Sequence, residues 1–133
     1  SRKFRVTEAY KEVKGTGKGV WDMPEGGSVI NGRKYSQHSL ERMAPDTMQV
    51  RAELEARATK IATEKGLKPG TKAYNDFVNK YVDPRNIPPS VIEDAIQNTK
   101  SIPGKYTDTF VHETSDVTVI VNGAGDVVTV IPK

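Results

Sequence analysis

The feature that most constrains the fold of this chain is a change in hydrophobic period after Pro103 and Gly104. Before this point apolar residues recur at the spacing of a helix, whereas after it they alternate with polar residues as in a strand. Helical segments followed by an antiparallel meander are typical of an α+β domain. We therefore predict helices packed on one face of a twisted C-terminal antiparallel sheet. Its three strands are predicted at about residues 105–114, 116–122 and 126–131.

Two glycine-containing sequences predict tight turns between strands. Asn31-Gly32 is the pair that a type I′ turn requires, and it indicates a short hairpin before the first helix. The sequence 122–125, Asn-Gly-Ala-Gly, indicates the turn between the last two strands.

Four helices are predicted before the change of period. Ser36 is a suitable N-cap for the first helix, and Asp46 or Thr47 for the second. Aromatic and apolar residues on one side predict a third helix over 71–82. A Ser-x-x-Glu capping box at Ser90 predicts the start of the fourth.

Positive charge is concentrated at the start of the chain. Residues 1–18 contain six Lys or Arg against two Glu, whereas the net charge of all 133 residues is +3. Glycines in residues 14–19 predict a hinge, so we divide the chain into a basic arm with its hinge, 1–19, and a folded domain, 20–133. The arm suits attraction to a polyanion, and a solvated leader or linker is the alternative. No apolar run is long enough to span a bilayer, and the lack of cysteine excludes thiol catalysis.

His38 is the first of two histidines and is predicted in the first turn of its helix. There the unpaired backbone N–H groups favour both a phosphate and the neutral form of the imidazole. Arg42, at i+4, offers a planar guanidinium to phosphate oxygens, and Glu41, at i+3, could orient the imidazole. The alternative is a surface helix on which His38 hydrogen-bonds Glu41 and Arg42 in a solvated ion pair.

His112, the second histidine, shares a predicted strand face with Phe110. A strand fixes the position of an acid or base, but an edge-strand histidine half covered by Phe110 is an equal alternative. Thr129 interrupts an apolar strand, either as a β-branched filler or as a hydroxyl over the sheet face of His112. Lys105, at the start of the His112 strand, could neutralise a phosphate. The other predicted substrate contacts are Tyr106, Thr109 and Glu41.

Other catalytic classes find little support in the sequence. It contains no His-x-x-x-His pair and no carboxylate cluster at ligand spacing, so no metal site and no cofactor are predicted. It also lacks the Gly-x-Ser-x-Gly sequence of serine hydrolases, and its aromatic residues are too few for a base-stacking platform. Two histidines and an arginine remain, and this set is sufficient to break a phosphodiester without a metal.

Three segments of the chain, residues 30–45, 83–95 and 109–131, carry a resemblance to a known family. The first contains a Tyr-Ser-x-His-x-x-x-Arg block, with His38 and Arg42, and the third a Phe-Val-His-Glu-Thr block, with His112. They resemble the C-terminal toxin domains of contact-dependent growth inhibition proteins (CdiA) and related filamentous-haemagglutinin exoproteins. More broadly, they resemble small metal-independent ribonucleases of the barnase/EndoU/colicin/RelE type. The likeness covers about residues 26–131.

This resemblance implies both a fold and a set of partners. The fold is a helical N-terminal part packed on a twisted antiparallel sheet. The substrate is RNA, usually transfer RNA, and a cognate immunity protein blocks the site in the producing cell. Some relatives use a host translation factor as a co-receptor. The resemblance also implies secretion or export to the cell surface as part of a larger exoprotein, with action in the cytoplasm of the target cell.

Residues and resemblance together predict a toxin endoribonuclease that cuts by 2′-OH transesterification. One histidine removes the proton of a ribose 2′-OH, which attacks the adjacent phosphate, and the other protonates the departing 5′-oxygen. Arg42, with Lys105, stabilises the additional negative charge. The alternative is a non-catalytic RNA- or protein-binding module in which the histidines are structural. The predicted catalytic residues are His38, His112, Arg42 and Thr129.

Overall fold

The structure of the protein, a computed structural model, describes residues 21–133, so the predicted basic arm and hinge of residues 1–19 lie outside the described residues. In the described part, four helices and six strands form an α+β fold, as the change of period predicts. The helices are α1 (Gln37–Met43), α2 (Met48–Glu64), α3 (Lys72–Tyr81) and α4 (Pro89–Asn98). The strands are β1 (Ser28–Ile30), β2 (Arg33–Tyr35), β3 (Ile102–Pro103), β4 (Thr109–Glu113), β5 (Val117–Asn122) and β6 (Val127–Pro132).

All six strands belong to one mixed sheet in the order β1-β2-β6-β5-β4-β3. Neighbouring strands are antiparallel except β2 and β6, which run parallel and pair through Tyr35 and Val127. The three predicted C-terminal strands are antiparallel, as expected, but the whole sheet is mixed because the predicted β1–β2 hairpin joins it through the parallel pair of β2 and β6. A parallel pair needs a long crossover, and the helical segment between β2 and β6 is part of it.

The strand predicted over 105–114 is shorter than its sequence indicates. Asp108, just before β4, has a positive φ of 59°, which is incompatible with an extended strand. Its carboxylate accepts a 2.9 Å hydrogen bond from the backbone N–H of Gly123 and so ties the loop before β4 to the β5–β6 hairpin. Lys105 and Tyr106 consequently lie in the loop between β3 and β4, and the prediction that they begin the strand of His112 is wrong.

Helix capping follows the sequence at α1 and α2 but not at α4. Ser36 and Thr47 accept hydrogen bonds of 3.0 and 3.2 Å from backbone N–H groups three residues later, as N-cap side chains do. The capping box predicted at Ser90 is wrong, since the N-cap of α4 is Pro88, two residues earlier, and the helix has no side-chain cap. Glu93, the expected partner in that box, instead forms an ion pair with Arg33 of β2.

The core lies between the helices and one face of the sheet. Alternate residues of β5, namely Val117, Val119 and Val121, are buried, and Leu40 and Met43 of α1 are fully buried with them. This alternation is the period that the sequence shows after residue 104. Other large, fully buried side chains are Tyr35, Leu54, Ile87, Ile92, Val127 and Val130.

Helix α1 is fixed at both ends by hydrogen bonds to other elements. At its start, Ser36 donates from its backbone N–H to the carbonyl of Val127, at 3.0 Å, and from its hydroxyl to that of Val128, at 2.9 Å. At its end, the backbone N–H groups of residues 85–87 donate to the carbonyls of residues 42–44 at 2.8 to 3.0 Å. A helix end leaves such carbonyls without intrahelical partners. The position of α1 is therefore set by β6 and by the segment that precedes α4.

We predict unequal effects of alanine at two adjacent glycines before β1. Gly26 and Gly27 have φ values of 83° and 92°. A Cβ at Gly27 would lie 2.3 Å from the backbone oxygen of Tyr35, whereas a Cβ at Gly26 would meet nothing within 4 Å. Gly26→Ala should cost about 1–2 kcal/mol of backbone strain, and Gly27→Ala at least roughly 1 kcal/mol more because strand β2 must move. Urea denaturation measures both, and equal losses would contradict this account.

Candidate active site around His38

His38 lies on the exposed side of the first turn of α1, near two arginines. Partial loss of surrounding water, followed by the charge of Arg42, lowers the pKa of His38 from its ordinary value of 6.5. The charge of Arg85 acts in the same direction, and that of Glu41 opposes it. The imidazole is therefore neutral at pH 7 and can accept a proton.

A single carboxylate, that of Asp83, pairs with both arginines. Its Oδ2 lies 3.1 Å from Nη1 of Arg42 and 3.0 Å from Nη2 of Arg85. Arg42 also donates to the carbonyl of Lys80 at 3.1 Å, and Arg85 donates to the carbonyl of Val130 on β6. Two guanidinium groups against one carboxylate leave a net positive charge beside the imidazole. Such a cluster is suited to an anionic group such as a phosphate.

Arg85 is not among the site residues predicted from the sequence. It lies 43 positions after Arg42, in the extended segment that caps the end of α1, and no local period connects the two. Its only signal in the sequence is its place in the Asp83-Pro84-Arg85 stretch of a segment that carries the resemblance. The structure thus unites His38 and Arg42 as predicted and adds Arg85 and Asp83 to them.

Glu41 does not hydrogen-bond His38, contrary to the sequence expectation. Its side chain is 7% exposed, and its Oε2 accepts hydrogen bonds from Arg57 Nη1 at 2.8 Å, Tyr81 hydroxyl at 3.0 Å and Gln37 Nε2 at 3.2 Å. Burial and the bond to Glu41 raise the pKa of Tyr81 to about 12, so its hydroxyl stays a donor at neutral pH. The carboxylate therefore belongs to a buried network on the side of α1 that faces α2 and α3.

His112 lies on the helix-facing side of β4, opposite Val119. Its Nδ1 is 2.9 Å from the hydroxyl oxygen of Thr99, which follows α4. That hydroxyl donates its single hydrogen to the carbonyl of Ala95 at 2.7 Å, so it must accept a hydrogen bond from Nδ1–H of His112. In the neutral form of the ring the proton therefore lies on Nδ1, and Nε2 is an acceptor. Phe110 shares this face, as the strand period predicts, and is itself half-buried.

Thr129 lies on the sheet face opposite to His112. It pairs with Ile120, which in turn pairs with Val111, and these residues alternate with the buried row of Val130 and Val119. The suggestion that the Thr129 hydroxyl stands over the face of His112 is therefore wrong, because the register assigns the two side chains to different sides.

Of the predicted substrate contacts, Lys105 and Tyr106 lie in the β3–β4 loop, and Thr109 is the first residue of β4. The Thr109 hydroxyl donates to the backbone oxygen of Tyr106, and the Thr109 carbonyl accepts a 2.8 Å hydrogen bond from the N–H of Gly104. Lys105 Nζ lies 5.5 Å from the centroid of the Tyr106 ring, and both side chains are exposed. Lys105 and Tyr106 are therefore accessible, whereas Thr109 holds the loop together.

Residues 21–133 hold neither a metal cage nor a membrane-spanning helix. No group of three or more His, Asp or Glu side chains in this range is arranged to hold a metal ion. Nor does any helix there have the length and apolar character required to cross a membrane.

We predict that Thr99 sets the tautomer of His112. Thr99→Ser keeps the hydroxyl that accepts from Nδ1–H, so the neutral ring should remain protonated on Nδ1. Thr99→Val removes the acceptor and should move part of the population to the Nε2–H form. Nitrogen NMR of the histidine rings distinguishes the two forms. An unchanged tautomer in Thr99→Val would contradict the assignment.

Comparison with known proteins gives no relative from which a family can be assigned: no family model, no curated protein and no solved structure matches this chain.

Proposed function

We propose that this protein is an endoribonuclease that cuts RNA by 2′-OH transesterification without a metal ion. The observation that supports this proposal best is a neutral, exposed imidazole beside two guanidinium groups. A general base next to an anion-binding cluster is the minimum that this reaction needs.

His38 is the general base in this proposal. Its lowered pKa keeps it unprotonated at neutral pH, so it can take the proton of the ribose 2′-OH as that oxygen attacks the adjacent phosphorus. The new bond from the 2′-oxygen gives a 2′,3′-cyclic phosphate, and the bond to the 5′-oxygen breaks. In this scheme the departing oxygen receives its proton from solvent, and His112 takes no part in the step.

Arg42 and Arg85 supply the positive charge that the transition state requires. As the 2′-oxygen attacks, the phosphoryl group gains negative charge, and a guanidinium can donate two parallel hydrogen bonds to it. Asp83 holds the two arginines close to one another despite their mutual repulsion. Their existing bonds to the carbonyls of Lys80 and Val130 also limit their movement, so the charge is positioned before substrate binds.

The proposal extends to the substrate and partners that the resemblance implies. Transfer RNA is the proposed substrate, with a neutralising protein in the producing cell and a host translation factor as a candidate co-receptor. A neutralising protein that presents Asp or Glu to Arg42 and Arg85 would mimic the phosphates and block the site. Loss of RNA cleavage in a stable complex with the product of a neighbouring gene would identify it.

The first prediction from this proposal is cleavage without divalent metal. Purified protein in excess EDTA should degrade total transfer RNA and leave 2′,3′-cyclic phosphate ends, while DNA of the same sequence stays intact because it lacks the 2′-OH. Activity that is lost on chelation and restored by magnesium would contradict the proposal. Binding of intact RNA without any cleavage would instead favour a non-catalytic binding module.

The second prediction ranks the site residues by the activity that is lost when each is substituted. His38→Ala should lower kcat by about 100-fold or more, the range for loss of a general base. Arg42→Lys should recover little of the loss in Arg42→Ala, because an ammonium cannot replace the planar guanidinium. His112→Ala should retain at least tenfold more activity than His38→Ala. Circular dichroism provides the folding control, and a folded His38→Ala protein with wild-type activity would exclude this base.

The third prediction concerns pH. Cleavage needs neutral His38, whose pKa lies below 6.5, so kcat/KM should stay high at pH 7 and fall only as the pH drops through the lowered pKa. Arg42→Gln removes a charge that disfavours the imidazolium and should therefore move the acidic limb to higher pH. A limb that stays in place in Arg42→Gln would show that another group is the base.

A further inference from the structure

The sequence contains two Asn-Gly pairs, Asn31-Gly32 and Asn122-Gly123, and both lie in turns between strands. Such a pair can react with itself, because the backbone nitrogen of the glycine can attack the side-chain amide carbon of the asparagine. Glycine has no Cβ, so its nitrogen approaches that carbon more freely than the nitrogen of any other residue. The other four asparagines of the chain precede residues that have a side chain. The two Asn-Gly pairs are therefore the candidates for this reaction.

The reaction needs water and no other reagent. A bond forms between the glycine nitrogen and the side-chain amide carbon, and the amide nitrogen leaves as ammonia with the proton that the glycine nitrogen releases. The product is a cyclic succinimide, which water then opens at either of its two carbonyls. One opening gives aspartate, and the other gives isoaspartate, in which the main chain passes through the former side-chain carbonyl. Either product replaces a neutral amide by a carboxylate.

At Asn31 and Gly32 the groups that must react are accessible. Both residues are exposed in the turn of the β1–β2 hairpin, and β1 is an edge strand of the sheet. Within residues 21–133, neither the side chain of Asn31 nor the backbone N–H of Gly32 has a hydrogen-bond partner. Strand β1 has only three residues, so few hydrogen bonds oppose a local opening of this turn.

At Asn122 and Gly123 the same groups are held by hydrogen bonds. The side-chain oxygen of Asn122 accepts from the backbone N–H groups of Ala124, at 3.0 Å, and Asp126, at 2.9 Å. Its amide nitrogen donates to Oδ2 of Asp126 at 3.3 Å. The N–H of Gly123, whose nitrogen would have to attack, donates to Oδ1 of Asp108 at 2.9 Å. Several hydrogen bonds must therefore break before this pair can react.

We infer that Asn31-Gly32 is a site of spontaneous deamidation and that the structure protects Asn122-Gly123 from the same reaction. The reacting dipeptide is identical in the two places, so the difference comes from the contacts around it. Deamidation places a negative charge two residues before Arg33. The isoaspartate form also adds a carbon to the main chain of a two-residue turn, which disturbs the pairing of Ile30 with Arg33. This inference is independent of the proposed RNA cleavage.

Ageing of the purified protein in mildly alkaline buffer tests this inference. Trypsin places the two asparagines in different peptides, residues 19–33 and 106–133, so mass spectrometry follows both conversions in one sample. In the folded protein we expect Asn31 to convert about tenfold faster than Asn122, or more, because opening of the second turn costs several hydrogen bonds. In urea, where both turns are unfolded, the two rates should become similar.

Two substitutions of Asp108 test the role of its carboxylate. Asp108→Gly removes the acceptor of the Gly123 N–H and tolerates the positive φ of 59° at this position. It should speed the conversion of Asn122 by about threefold or more, since one hydrogen bond is lost. Asp108→Asn is the matched control, because it keeps a side-chain oxygen and tolerates the same φ, and it should leave Asn122 slow. Circular dichroism checks that both variants fold.

Three results would overturn the inference. Equal rates in the folded protein, or a faster rate at Asn122, would show that the structure does not protect the second pair. A difference that persists unchanged in urea would assign it to neighbouring residues in the sequence instead of to the fold. Conversion of Asn31 in urea but not in the folded protein would show that the hairpin itself prevents the reaction. These comparisons use the wild-type chain, so they decide even if a variant fails to fold.

Discussion

The docking of helix α1 against strand β6 is the constraint on which the other features of this structure depend. Seven residues are too few to form a stable helix alone, so α1 needs partners at both ends. At its start, Ser36 donates hydrogen bonds to the carbonyls of Val127 and Val128. At its end, the backbone N–H groups of residues 85–87 donate to the carbonyls of residues 42–44. The same contacts bring Arg85 from a distant part of the chain to the side of Arg42. Without this docking His38 and the two arginines would not lie together.

Helix α1 lies between two clusters of polar side chains, one with an excess of positive charge and one around a buried carboxylate. On one side, the half-exposed Asp83 pairs with two arginines and leaves positive charge next to a neutral imidazole. On the other side, the buried carboxylate of Glu41 accepts three hydrogen bonds, from side chains that also line a cavity. Exposed ion pairs contribute little to stability, whereas a buried charge must be hydrogen-bonded. The first grouping is therefore available to a ligand, and the second also helps to hold α1 in place.

The sequence predicts which helices, strands and turns form better than it predicts the residues at which they begin and the side chains that they contact. The Asn31-Gly32 turn forms with both residues at positive φ, 51° and 82°, and Ser36 and Thr47 cap their helices, because these features depend on neighbouring residues alone. The Ser90 capping box fails because Glu93 finds a better partner in Arg33, sixty positions away. The strand of His112 begins late because Asp108 binds Gly123 across the loop. In both cases a long-range contact overrides a local preference.

The sequence by itself determined the α+β class, the strand parity that puts His112 on the same side as Phe110, and the pairing of His38 with Arg42 on one helix. Each follows from a fixed period, of two residues in strands or 3.6 in helices. Only the tertiary structure decided that Thr129 faces away from His112, that Glu41 is buried among Arg57 and Tyr81, and that Arg85 joins the site. Register between strands and the approach of distant segments depend on packing over the whole core, and no local period encodes them.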